Sequence, residues 1–140
     1  ISVICFYTSL VDIENQNVGK FPPNMKDEFG EYGILILNRQ EFYKRVLETF
    51  IRNPECRVVY MGFVDYKKMQ PGMNQWHPFR KDADDFSYQN EFRITFENDT
   101  EETFTLDLEI SLRDIAVPIM ADDVGKIHFK DGKLLYPTYK

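Results

Sequence analysis

The sequence predicts an α+β fold: one main helix at about residues 38–53, a mixed or antiparallel sheet, and C-terminal β-hairpins. Three features carry this expectation. Phe42, Val46, Leu47, Phe50 and Ile51 recur at helical spacing, with Arg39, Lys44, Arg45, Glu48 and Arg52 on the other faces. Elsewhere the chain is rich in β-branched and aromatic runs, and its 12 Phe and 8 Tyr favour a core of flat side chains in sheet. Finally, Asp131-Gly132 lies between two short apolar runs, a strong hairpin-turn signal. At 140 residues the chain reads as a single domain, residues 1–140, able to bury a core without disulfides or metal.

Taken in order, Ile1 to Tyr7 is an apolar run too short for a helix and reads as a buried strand. It starts without Met inside that run, which suggests that the true N-terminus is not included. Leu10 to Asn24 loses periodicity and reads as a loop, with a turn of helix from Met25 to Phe29 stopped by Gly30. Tyr32 to Leu37 is the second strand. Asn38 followed by Glu41 forms a capping box for the main helix, and Asn53-Pro54 ends it, because the residue before proline disfavours helical geometry.

Arg57 to Asp65 is the third strand, so strand–helix–strand order suggests a βαβ-like crossover. Tyr66 to Pro78 is a long loop containing Pro71, Gly72, Asn74 and Pro78. Tyr88 to Glu97 and Glu102 to Glu109 alternate apolar and polar residues about Asn98–Glu101, an antiparallel hairpin. Ser111 to Ile115 suggests a helical turn, Val117 to Met120 another strand, and the Asp131-Gly132 turn the last hairpin.

Charge and cysteines restrict the function. The net charge of −6 argues against general nucleic-acid binding, which needs clustered cations. Residues 39–81 carry nine Lys/Arg against four Asp/Glu, whereas residues 82–109 carry one Arg against ten Asp/Glu. A basic region beside an acidic one suits a charged partner. Cys5 and Cys56 have no metal-ligand spacing and read as buried free thiols of a reducing, cytoplasmic setting. No apolar run is long enough to span a membrane, so no membrane partner is expected. The isolated His77 and His128 suggest no metal site.

The richest stretch is Phe86 to Phe96. On a strand, Gln89 and Glu91 would project to one face, and such a pair can polarise a sugar hydroxyl and stabilise an oxocarbenium ion. The Gln-x-Glu pattern at a strand entrance resembles mono-ADP-ribosyltransferases, with a loose echo of their aromatic-Ser-Thr-Ser strand in Phe6-Tyr7-Thr8-Ser9. That resemblance implies NAD as the cofactor, Gln89 and Glu91 as catalytic residues, and Tyr7, Thr8 and Ser9 lining the same cleft.

A second resemblance covers more of the chain. Cys5-Phe6-x-x-Ser9, Phe29-Gly30-x-Tyr32-Gly33, Phe79-x-Lys81 and Phe86-x-Tyr88-Gln89-x-Glu91-Phe92-Arg93 together resemble a family of uncharacterised bacterial and phage domains. It implies a mobile-element or phage-conflict setting, with Lys81, Glu91 and Arg93 at matching positions. Lys81 and Arg93 would then be phosphate or carboxylate partners.

Two other function classes compete with the enzyme. Trp76-His77-Pro78-Phe79 can serve as an interface anchor or ligand lid, or simply pin a loop to the core. As an anchor, Trp76, Phe79 and Arg80 would make the chain an intracellular interaction or assembly domain for a protein partner, with no cofactor. The remaining class is a nucleotide-binding module without turnover, using Trp76, Arg80 and Lys81.

Overall fold

The computed structural model describes residues 2–8, 11–12, 17–18, 21–72, 77–98 and 105–140. In chain order the elements are β1 (Ser2–Tyr7), β2 (Val11–Asp12), β3 (Asn17–Val18), α1 (Pro23–Phe29), β4 (Tyr32–Ile36), α2 (Arg39–Arg52), β5 (Cys56–Phe63), β6 (Asp65–Lys67), β7 (Arg80–Asp82), α3 (Ala83–Phe86), β8 (Glu91–Asn98), β9 (Ala116–Met120), β10 (His128–Lys130) and β11 (Lys133–Leu135). Short 3₁₀ turns cover Ser87–Gln89 and Ala121–Lys126. The class is α+β as expected, although α1, α3 and the 3₁₀ turns accompany the main helix.

Two compact units emerge, Ile1–Thr8 with Asn38–Asp114, and Ser9–Leu37 with Ile115–Lys140. In the first, β8 is the central strand of an antiparallel sheet ordered β1-β8-β5. Six successive residues, Glu91 to Phe96, are buried, so both faces of this strand are covered. Phe92, Ile94 and Phe96 face α2. Phe50 packs on Phe96 at 4.6 Å between ring centroids, Tyr43 stacks on Phe92, and Phe42 meets Phe6 edge-on.

Asn38 caps α2 by accepting from the Glu41 backbone N–H at 3.0 Å. The reciprocal half of the box is replaced, because the Glu41 carboxylate takes Arg45 Nε at 2.9 Å. The helix buries Phe42, Arg45, Val46, Thr49 and Phe50, while Ile51 is 82% exposed. Arg45 therefore does not lie on a solvated face. Its guanidinium is held by Glu41, by the Ser111 carbonyl at 2.6 Å and by both Asp114 oxygens at 2.7 and 2.8 Å. These bonds tie α2 to the Ser111–Asp114 turn, which is not helical. The Arg45 guanidinium beside Asp114 holds that carboxyl at about 2, below its ordinary 3.8.

The expected crossover does not form. β4 pairs with β9 and β5 with β8, both antiparallel, so the strands flanking α2 belong to different sheets. Sequential order suggested their pairing, but β8, with apolar residues on one face and partnered polar residues on the other, takes both β1 and β5 as neighbours. Two further boundaries move. β6 runs from the last residue of the expected third strand into the expected long loop and pairs in parallel with β7. The strand expected from Tyr88 begins at Glu91, since Asp82 caps α3 by accepting from the Asp84 N–H and the following 3₁₀ turn ends on Asn90 at φ 43°. In the expected partner strand of the 98–101 hairpin, residues 105–109 are not in strand, and residues 99–104 lie outside the described ones.

The second unit contains the β4–β9 pair, a four-stranded sheet ordered β11-β10-β3-β2, and α1. Met25, Ile115, Ile119, Ala121 and Ile127 are buried within it. The β10–β11 turn falls on Asp131 and Gly132, both at positive φ (51° and 72°), as the sequence predicts.

Candidate functional site

The face of β8 opposite α2 carries Glu91, Arg93, Thr95 and Glu97, because side chains two apart on a strand share a side. Register places Tyr7 beside Glu91, Cys5 beside Arg93, Gly62 beside Arg93 from the other flank, and Tyr60 beside Thr95. The segment from His77 to Lys81 runs over this face. Val64 N–H donates to the Glu91 carbonyl and Asp65 N–H to the Phe79 carbonyl, fixing that segment beside β6. A Cβ added to Gly62 would lie 3.7 Å from the Phe79 ring, so the ring rests on bare backbone there.

Glu91 is the centre of a buried network. Its Oε2 accepts from Arg93 at 2.9 Å and from Lys81 Nζ at 2.9 Å. Lys81 also donates to the Gln89 side-chain oxygen and sits 5.1 Å from the Phe86 ring centroid. Arg93 donates in addition to the Pro78 carbonyl at 2.5 Å. Its Nε is buried without a partner among the described residues. The Glu91 backbone N–H donates to the Tyr66 hydroxyl at 2.9 Å, and burial pushes that phenol up.

With two cations against one carboxylate, this network has no carboxylate to spare. Leaving any of these buried charges unpaired would cost several kcal/mol, roughly 3–5 by comparison with broken buried pairs. Its geometry suits clamping the 77–81 segment and the 3₁₀ turn onto the sheet.

The sequence-predicted residues are brought together unevenly. Gln89, Glu91, Lys81 and Arg93 meet, but Gln89 lies in a 3₁₀ turn and joins Glu91 through Lys81 rather than by strand alternation. Tyr7 is beside Glu91 in register. Thr8 is engaged elsewhere: its N–H and hydroxyl donate to the Asn90 carbonyl at 2.9 and 2.6 Å, and the Asn90 amide donates back to the Thr8 carbonyl. Arg80 is exposed on β7, while Phe79 covers the sheet. Ser9 and Trp76 lie outside the described residues.

Both cysteines are free, and neither is buried as expected: Cys5 is exposed and Cys56 intermediate. Local desolvation first, and then Glu91 as a neighbour and hydrogen-bond acceptor, push the Cys5 thiol up, with Arg93 opposing.

Beyond Arg93 the same face opens into a groove of about 370 Å³ lined by Tyr60, His77, Pro78, Phe79, Thr95, Phe96 and Glu97. Tyr60 is 64% exposed. His77 Nδ1 accepts from the Phe79 N–H at 3.1 Å. Sequence reasoning missed Tyr60, Thr95 and Glu97 as groove residues. Thr95 and Glu97 were within reach, since the i+2 rule that links Glu91 to Arg93 extends to both. Tyr60 needed the β5–β8 register.

Among the described residues no cluster of His, Cys, Asp and Glu could hold a metal ion, and no helix is long and apolar enough to cross a membrane. Comparison with family models, with curated proteins and with solved structures gave no match.

Proposed function

We propose that this chain is a protein-interaction module that receives a partner's side chain in the Tyr60–Phe79–Glu97 groove. The observation that carries this reading is the contrast along one sheet face. The two cations nearest Glu91 are already paired with it, whereas an aromatic-lined groove lies beside them. Recognition surfaces commonly concentrate their energy in a few aromatic side chains around a pocket, and Tyr60 and Phe79 are of that kind. The phage or mobile-element setting implied by the family resemblance fits a module that works by contact.

An ADP-ribosyltransferase-like activity on NAD would require Glu91, whose Oε2 holds Lys81 and Arg93, to accept a ribose hydroxyl as well. A nucleotide-binding module would require a phosphate to reach Lys81, which pairs with Glu91 and Gln89.

The test is selection of peptides from a randomised library on the wild-type chain, followed by titration of the enriched peptides against Tyr60→Ala. Tyr60 is exposed, so its truncation leaves the fold intact, and affinity should fall by about tenfold. Unchanged affinity would remove the groove from the interface. Thermal shift with NAD, ADP-ribose and nucleotides provides the rival outcome: stabilisation that Glu91→Gln abolishes would replace the interaction reading with the enzyme one.

A further inference from the structure

Resting on that reading, we infer that the side chain received by the groove is an arginine of the partner protein. The chemistry of the lining selects a cation. Tyr60 and Phe79 line the groove, and aromatic rings attract a guanidinium through the ring quadrupole. Glu97 supplies a carboxylate at the same groove, is itself exposed, and forms no ion pair among the described residues.

Arg93, on the same strand face, is turned into the network by Glu91 and the Pro78 carbonyl and does not line the groove. Glu97 also belongs to the 82–109 stretch, with one Arg against ten Asp/Glu, so an approaching basic segment meets complementary charge before it docks. Arginine suits the site better than lysine. Its planar group can stack on a ring and fork onto a carboxylate at once, whereas an ammonium is a compact, strongly hydrated charge.

The experiment uses the full chain and a peptide enriched in the selection, resynthesised with Arg, Lys, Gln, Glu or Leu at its anchor position. Affinity is measured at low and high salt against wild type, Glu97→Gln and Tyr60→Ala. The Arg peptide should bind best, lose about tenfold with Glu97→Gln, and weaken with salt, while the Gln and Leu peptides ignore Glu97→Gln. A Leu peptide that binds best, with Tyr60→Ala sensitivity but none to Glu97→Gln, would overturn the arginine assignment and leave the groove as the interface. Equal binding of Arg and Lys peptides, both sensitive to Glu97→Gln, would also overturn arginine selectivity, reducing it to charge alone. Loss of sensitivity to Tyr60→Ala for every peptide would overturn the groove itself.

Discussion

Phe92, Ile94 and Phe96 on one face of β8 meet the aromatic ridge of α2, while Glu91 and Arg93 on the other meet each other and the 77–81 segment. The same six-residue run is thus buried twice, by dispersion and apolar burial on one side and by directed charge pairing on the other. Apolar packing is non-directional, so its loss scales with the volume removed. A buried ionic network fails differently: deleting one member leaves the others as uncompensated charges.

Removing an apolar side chain from the helix face should have the largest effect. Phe50 is 1% exposed and packs on Phe96, so Phe50→Ala should destabilise the fold by about 4 kcal/mol in a denaturant titration. A cost below about 1 kcal/mol would mean that α2 is not the main cover of this face.

On the other face, Arg93→Ala should cost about 3 kcal/mol, because Glu91 would remain buried with Lys81 alone. The triple replacement Lys81→Met, Glu91→Leu and Arg93→Met sharpens the comparison. It should recover more than half of that loss, since removing all three charges leaves none of them unpaired. A triple variant as unstable as Arg93→Ala would show that shape rather than charge pairing dominates the polar face.

The smallest effect lies behind α2, at Asp114. Its folded-state pKa of about 2 lies below the ordinary 3.8, so the Arg45 pairing stabilises fully above pH 3.8 and is lost as pH falls through about 2. Comparing Asp114→Asn with wild type by thermal melts from pH 7 to pH 2 should show a gap that closes across that window. A gap constant with pH would assign the stabilisation to the hydrogen bonds rather than to the charge.

Much of the fold was legible because it rests on local signals. Asn38 capping, the Phe42–Val46–Phe50 spacing and the Asp131-Gly132 turn each involve residues within one or two helical turns of each other. The misreadings of Arg45 and of the βαβ-like crossover involved partners distant in sequence. Arg45 counted as a surface charge until Ser111 and Asp114, 66 and 69 residues away, gave it acceptors. The candidate site was legible in part, since Lys81, Gln89, Glu91 and Arg93 do converge. The sequence did not show that Lys81 and Arg93 both pair with Glu91 Oε2, because that pairing depends on where the 77–81 segment lies.

Composition and periodicity by themselves determined the α+β class, the main helix with its cap, the final hairpin turn and the Glu91–Arg93 alternation, because short-range geometry dictates each of these. Tertiary structure alone decided that β8 sits between β1 and β5, that Gly62 leaves room for Phe79, and that Tyr60 opens onto Thr95 and Glu97. Strand order and register depend on which buried faces match across long stretches of chain, and no local pattern encodes that choice.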